Sequence, residues 1–162
     1  MPRSFPAFVG DQPKILILGS MPGVESLRQQ KYYAHPRNQF WKLLGETIGE
    51  RLQEADFTTR LSILKRRGIA LWDVLESCTR EGSLDSDICD EVPNKIPELL
   101  RETGIKIVFC NGGKAYAAFR ALVADAIPED VEVHKLPSSS PAAAALTYHE
   151  KLQRWAVLAR YL

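Results

Sequence analysis

The chain has 162 residues, 45% hydrophobic and 25% charged, with a net charge of +1 at neutral pH. That length fits one globular domain over residues 1–162 with a sizeable core. The charge balance excludes a protein that holds polyanions by bulk positive charge, although a local basic face can sit inside a neutral sum. Cys78, Cys89 and Cys110, with no C-x-x-C pair, argue against a disulfide framework and a zinc site and fit a reducing cytoplasm. No apolar run is long enough to span a membrane, and MPRSFPAFVGDQP lacks the apolar core of a signal peptide.

KILILGS, residues 14–20, is a continuous branched apolar run ending in small residues, the pattern of a buried parallel strand. Phe40, Leu44, Ile48 and Leu52 recur in steps of four and predict a helix over 39–55. Thr58 and Thr59 offer caps for a helix through Lys65 that Gly68 stops. IALWDVL reads as a second strand that runs into a loop near Asp73. Pro93 opens a helical pattern carried by Ile96, Leu99 and Leu100 and closed by Gly104. IKIVFC, 105–110, is a third buried strand; Asn111-Gly112-Gly113 follows, then a helix with Tyr116, Phe119, Leu122 and Val123. A weaker fourth strand covers 131–136. After the Pro137-Ser138-Ser139-Ser140-Pro141 loop, 142–162 reads as one helix with Leu152, Trp155 and Ala159 facing in. Strands alternating with helices predict an α/β fold with a mostly parallel sheet covered on both faces.

The unusual residues follow the strands. Gly19-Ser20-Met21-Pro22-Gly23 and HPRN follow the first, Trp72-Asp73 the second, Asn111-Gly112-Gly113 the third and the serine-proline loop the fourth. Ligands of open α/β sheets bind outside the carboxyl ends of the strands. The connection over 20–38 is long, has little helical period and carries Tyr32, Tyr33, His35, Arg37 and Asn38. Aromatic rings, a cation and amides suit a planar heterocycle. Each part also has a plainer reading. Asn38 precedes a helix and can be its cap. Asn111-Gly112 can be a turn, and Ser140 with Pro141 can start the last helix. The phosphate-binding P-loop pattern is absent.

Five segments, LGSMPGVESL (18–27), YYAHPRNQFW (32–41), LWDVLESCTREGSLD (71–85), FCNGGKAY (109–116) and LPSSSPAAA (136–144), together resemble the uracil-DNA glycosylase superfamily. The likeness is to its hypoxanthine (deoxyinosine) branch, with the mismatch-specific uracil branch next, and it runs through nearly the whole chain. The resemblance implies a three-layer α/β/α sandwich around a four-stranded parallel sheet. It implies an enzyme that flips a deaminated base out of DNA and hydrolyses its N-glycosidic bond, hypoxanthine first and uracil or xanthine as alternatives. No metal or organic cofactor is implied, and the expected partner is single- or double-stranded DNA, bound by a cytoplasmic monomer.

One departure bears on catalysis. The mismatch-specific branch has a water-positioning asparagine before the Pro-Gly of the first motif; this chain has Met21, whose thioether cannot do that work. In the hypoxanthine branch the role belongs to the asparagine of His-Pro-x-Asn, which is Asn38 here. The resemblance further implies Tyr33 stacking on the flipped base, the backbone of Ser20, Met21 and Gly23 binding a base oxygen, and Asn111 reading the base edge. His35 would donate to the leaving base or to a phosphate. Ser138, Ser139 and Ser140 would grip phosphates, with Lys114 and Lys135 as further backbone contacts. A catalytically silent damaged-DNA-binding protein is the alternative that Met21 raises. A small-molecule nucleotide hydrolase on the same kind of sheet is the other.

Overall fold

The structure, a computed structural model, describes residues 3–79 and 89–162. In chain order its elements are β1 (Ile15–Gly19), α1 (Val24–Gln29), α2 (Phe40–Ile48), α3 (Phe57–Arg67), β2 (Ile69–Asp73), β3 (Leu75–Thr79), β4 (Cys89–Pro93), α4 (Ile96–Thr103), β5 (Ile107–Asn111), α5 (Gly113–Leu122), β6 (Glu132–Leu136) and α6 (Tyr148–Trp155). Four strands form one parallel sheet in the order β2-β1-β5-β6, and β3 and β4 form a separate antiparallel pair.

β1 is apolar at every position because both of its faces are covered, and successive strand side chains point to opposite faces. Ile15 and Ile17 pack with Phe40, Leu44 and Trp155, on the side of α2 and α6. Leu16 and Leu18 pack with Ile96, Leu100 and Phe119, on the side of α4 and α5. The result is the three-layer α/β/α sandwich with a four-stranded parallel sheet that the sequence resemblance implied. Gly19 is in register with Asp73, and Asn111 with Leu136, so the four strands end together.

Several element boundaries differ from the sequence reading. The connection over 20–38 contains α1, held by a left-handed Gln30 at its end. α2 stops at Ile48 because Gly49 turns left-handed, yet Leu52 beyond it is still fully buried. Asp56 caps α3, its side chain accepting from the Thr59 N–H at 2.8 Å, so neither threonine is the cap. IALWDVL divides into β2 and the start of β3. Pro93 ends β4, and the following helix starts only at Ile96. The last helix is shorter at both ends. Thr147 and Glu150 close a capping box that fixes the start of α6, and this reciprocal pair overrides the helix propensity of the preceding alanines. Beyond Trp155 the chain tightens into a 3-10 helix, whose three-residue turn brings Leu158 inward and leaves Ala159 exposed. The Arg80 to Asp85 end of the third resemblance segment lies outside the described residues.

Candidate active site

A cavity of about 590 Å³ opens at the carboxyl ends of the sheet strands. It is within the size range of sites that enclose small ligands. Ser20, Met21, Gly23, Tyr33, His35, Asn38, Asn111, Lys114, Ser138, Ser139 and Ser140 all line it, so the structure brings these eleven candidate residues to one place. Arg37 is exposed and Lys135 does not line the cavity.

The segment after α1 divides its two tyrosines between scaffold and cavity. Tyr32 is buried, and its hydroxyl donates to the Pro6 carbonyl at 2.9 Å. Burial, and secondarily Asp73, pushes its phenol well above the ordinary range. The Tyr33 ring stacks on Phe40 at a centroid distance of 3.8 Å and 14°. One face is thereby covered, and the residue lines the cavity. Its backbone is left-handed, φ 54°. A bulky residue rarely sits there, and such strain concentrates at functional positions. Ser26 fixes the segment from below, its Oγ accepting from the Ala34 N–H at 3.0 Å.

His35-Pro36-Arg37-Asn38 folds into a turn, with the Asn38 N–H donating to the His35 carbonyl at 3.0 Å. The Arg37 N–H donates to His35 Nδ1 at 3.1 Å. A neutral ring held this way carries its proton on Nε2, so His35 presents a donor. Asn38 is not the cap residue of α2, which is Gln39. Its Oδ1 accepts from the Phe40 N–H at 2.9 Å, which fixes which end of the amide is oxygen. Oδ1 keeps a second lone pair, and Nδ2 both of its protons, for a ligand or water.

The serine loop is tied to β5 by a two-way amide latch. Asn111 Nδ2 donates to Ser139 Oγ at 2.9 Å, and the Ser139 N–H donates to Asn111 Oδ1 at 3.0 Å. Ser139 is 1% exposed, and its carbonyl accepts from the Gln39 N–H at 2.9 Å. Its contacts to Asn111 and Gln39 tie three segments together. Ser138 and Ser140 are half-buried, and their hydroxyl oxygens accept from the Ser140 and Ala142 N–H groups. Each hydroxyl proton is then left to point elsewhere. Ser140 starts no helix, since α6 begins at Tyr148. Gly112 allows the close packing beneath the loop: it has φ 99°, and a Cβ there would lie 2.9 Å from the Ser138 Cβ.

Other partners differ from the sequence reading. Lys114 is ion-paired with Glu91 of β4. The Met21 side chain packs into the core beside Leu18 and Val74. Sequence reasoning did not single out Glu25 or assign a role to Asp73, and both line the cavity. Hydrogen bonds from Arg28, then Gln29, hold the Glu25 carboxyl down at about 2, so it stays ionised at the rim. Among the described residues no group of three or more histidines, cysteines or carboxylates is placed to hold a metal.

Gly19 keeps the cavity floor open. A Cβ there would sit 2.5 Å from Asp73 Oδ1 and 3.0 Å from the Tyr33 hydroxyl. Gly19→Ala is therefore expected to displace both side chains and cost about 1–3 kcal/mol of stability, read as a lower urea midpoint at unchanged slope. An unshifted midpoint would mean that the floor has slack.

Fold and cavity together define an α/β protein with a pocket at the carboxyl edge of its sheet. The sequence profile of the Uracil DNA glycosylase superfamily matches residues 6–160. A hypoxanthine DNA glycosylase of Methanosarcina acetivorans is 41% identical over 140 residues, 86% of this chain and 87% of its own. Another, of Methanosarcina barkeri, is 44% identical over 115 residues, 70% of this chain and 72% of its own. The solution NMR structure of a Methanosarcina acetivorans protein assigned to the uracil DNA glycosylases superposes with a TM-score of 0.84 at 38% identity, covering 98% of this chain and 97% of that one. The chain belongs to the uracil DNA glycosylase superfamily.

Proposed function

We propose that this protein is a monofunctional DNA glycosylase of base-excision repair, which takes a deaminated base, hypoxanthine foremost, into the cavity and hydrolyses its N-glycosidic bond. The observation that carries the reading is the meeting, in one cavity, of an aromatic ring on a left-handed backbone and an amide of fixed orientation. The kinship with two hypoxanthine DNA glycosylases supports the choice of base.

Cleavage breaks the bond between C1′ and the base nitrogen and forms a bond from C1′ to a water oxygen. Positive charge develops on the sugar and negative charge on the departing base. The flipped base extends the Tyr33–Phe40 stack. The second lone pair of Asn38 Oδ1 accepts from the attacking water and aims it at C1′. His35 Nε2–H and the backbone of the Ser20–Gly23 turn donate to the base as it gains charge. Ser138 and Ser140 hydroxyls donate to the flanking phosphates, which fits a chain of near-zero net charge. In this reading the protein is a monomer acting as a single domain, in the compartment that holds the chromosome.

Oligonucleotides carrying hypoxanthine, uracil or xanthine, incubated with the protein and then treated with alkali, test this directly. Strand breaks at hypoxanthine are expected, with weaker breaks at the other bases. Tight binding without breaks would make the protein a damaged-DNA binder, and release of free bases from nucleosides alone would make it a nucleotide hydrolase.

A further inference from the structure

Lys151 has no place in the chemistry above, yet its position is unusual. It lies in α6 and is only 3% exposed. Its Nζ donates to Gln39 Oε1 at 3.2 Å and reaches the Ser140 carbonyl oxygen at 3.5 Å. No carboxylate among the described residues pairs with it. An ammonium taken out of water needs compensation, and two neutral oxygens supply only part of it. Burial accordingly pulls its pKa down.

The partners show what the cation joins. Gln39 follows Asn38 directly, and its backbone N–H already holds the Ser139 carbonyl. Ser140 belongs to the loop placed against the DNA phosphates. Trp155, one turn further along α6, donates its indole N–H to the Pro137 carbonyl at 2.9 Å, so α6 anchors both ends of that loop. The Lys151 side chain touches both the segment carrying the water-orienting amide and the segment facing phosphate. Negative charge arriving on the serine loop supplies the counter-charge that the buried ammonium lacks.

We infer that Lys151 is a positioning residue, a buried cation that couples phosphate engagement at Ser138–Ser140 to the setting of Asn38, acting through Gln39. The inference rests on the glycosylase reading and deepens it. The coupling makes full water alignment depend on a seated DNA backbone, so excision from DNA outruns hydrolysis of a free nucleoside.

Single-turnover excision of hypoxanthine from an oligonucleotide, with protein in saturating excess, tests this in Lys151→Met, Lys151→Arg and Gln39→Leu. The expected result is an excision constant about tenfold lower for Lys151→Met at saturation, where weakened binding no longer matters. Lys151→Arg keeps charge and donors and should recover to within about threefold of the parent. Gln39→Leu should fall by a similar factor, and the double variant should be no slower than either single one, because both changes cut the same link. Gln39→Leu keeps the backbone bond to Ser139, so it reports even where Lys151→Met does not fold. Parent-like constants in Lys151→Met or Gln39→Leu, or multiplying effects in the double variant, would overturn the coupling while leaving the glycosylase reading in place. A parent protein that releases no base would overturn both.

Discussion

Asn38→Ala is expected to lower the single-turnover excision constant by about 10²–10³-fold while binding of lesion DNA stays within a few-fold of the parent. The amide is set before substrate arrives: the Phe40 N–H holds Oδ1 at 2.9 Å, and the His35 turn holds the backbone. On the proposed mechanism, alanine removes the acceptor that aims the water; it also leaves the Phe40 N–H without its side-chain partner. That second loss resembles a lost helix cap, about 0.5–2 kcal/mol, which a core built on both faces of the sheet can absorb. Excision should therefore fall far more than stability. Asn38→Asp keeps an oxygen for Phe40 and should stay folded, yet it places a charge near the phosphates and should excise slowly as well. Time courses on hypoxanthine oligonucleotides, with far-ultraviolet circular dichroism on the same samples, check both. Parent-like excision by folded Asn38→Ala would return the residue to the role of a turn former.

Asn111→Ala should act differently, through the scaffold. The Asn111 amide and Ser139 exchange two hydrogen bonds in a region closed to water, Ser139 being 1% exposed. Removing one side of such a pair strands a buried donor and a buried hydroxyl, at about 1–3 kcal/mol for each group left unsatisfied. A loss of about 2–4 kcal/mol overall is expected, visible as a lower urea midpoint. The serine loop loses its tie to β5, so affinity for DNA should fall for hypoxanthine, uracil and xanthine alike. If Asn111 instead reads the base edge, the order of preference among the three bases will change while overall affinity holds. Competition binding with the three oligonucleotides, in the same buffer as the denaturation, separates these outcomes.

Much of the fold is legible in local pattern. KILILGS can be read as a strand because a strand covered on both faces must be apolar at consecutive positions, and β1 is buried throughout. The steps of four from Phe40 to Leu52 mark buried positions correctly even though the helix ends at Ile48, since Gly49 only redirects the chain before Leu52 packs. The short α1 and the β3–β4 pair left weaker signals. α1 has a single buried residue, Ser26, and the ladder of the pair is interrupted by register shifts. Thr147-x-x-Glu150 was a readable start signal, but the alanine run before it drew the helix too far forward.

The cavity-lining residues were legible as types, because glycine, proline, amide and serine cluster after three of the four sheet strands, and the strand ends gather them. Their division of labour was not. Tyr32 and Tyr33 are the same residue side by side, and only packing decides that one is an anchor under Leu71 and the other lies on Phe40 over the cavity. Three consecutive serines cannot announce which is buried, and the latch from Asn111, 28 residues away in sequence, selects Ser139. The link from Lys151 to Gln39 spans 112 positions. The sequence by itself determined the strands, the layers and the chemical kinds of group at the sheet edge, because these follow from periodicity and composition over a few neighbouring residues. Only the tertiary structure decided which of those groups faces the cavity and which holds another in place, because that depends on distances between segments that local pattern does not encode.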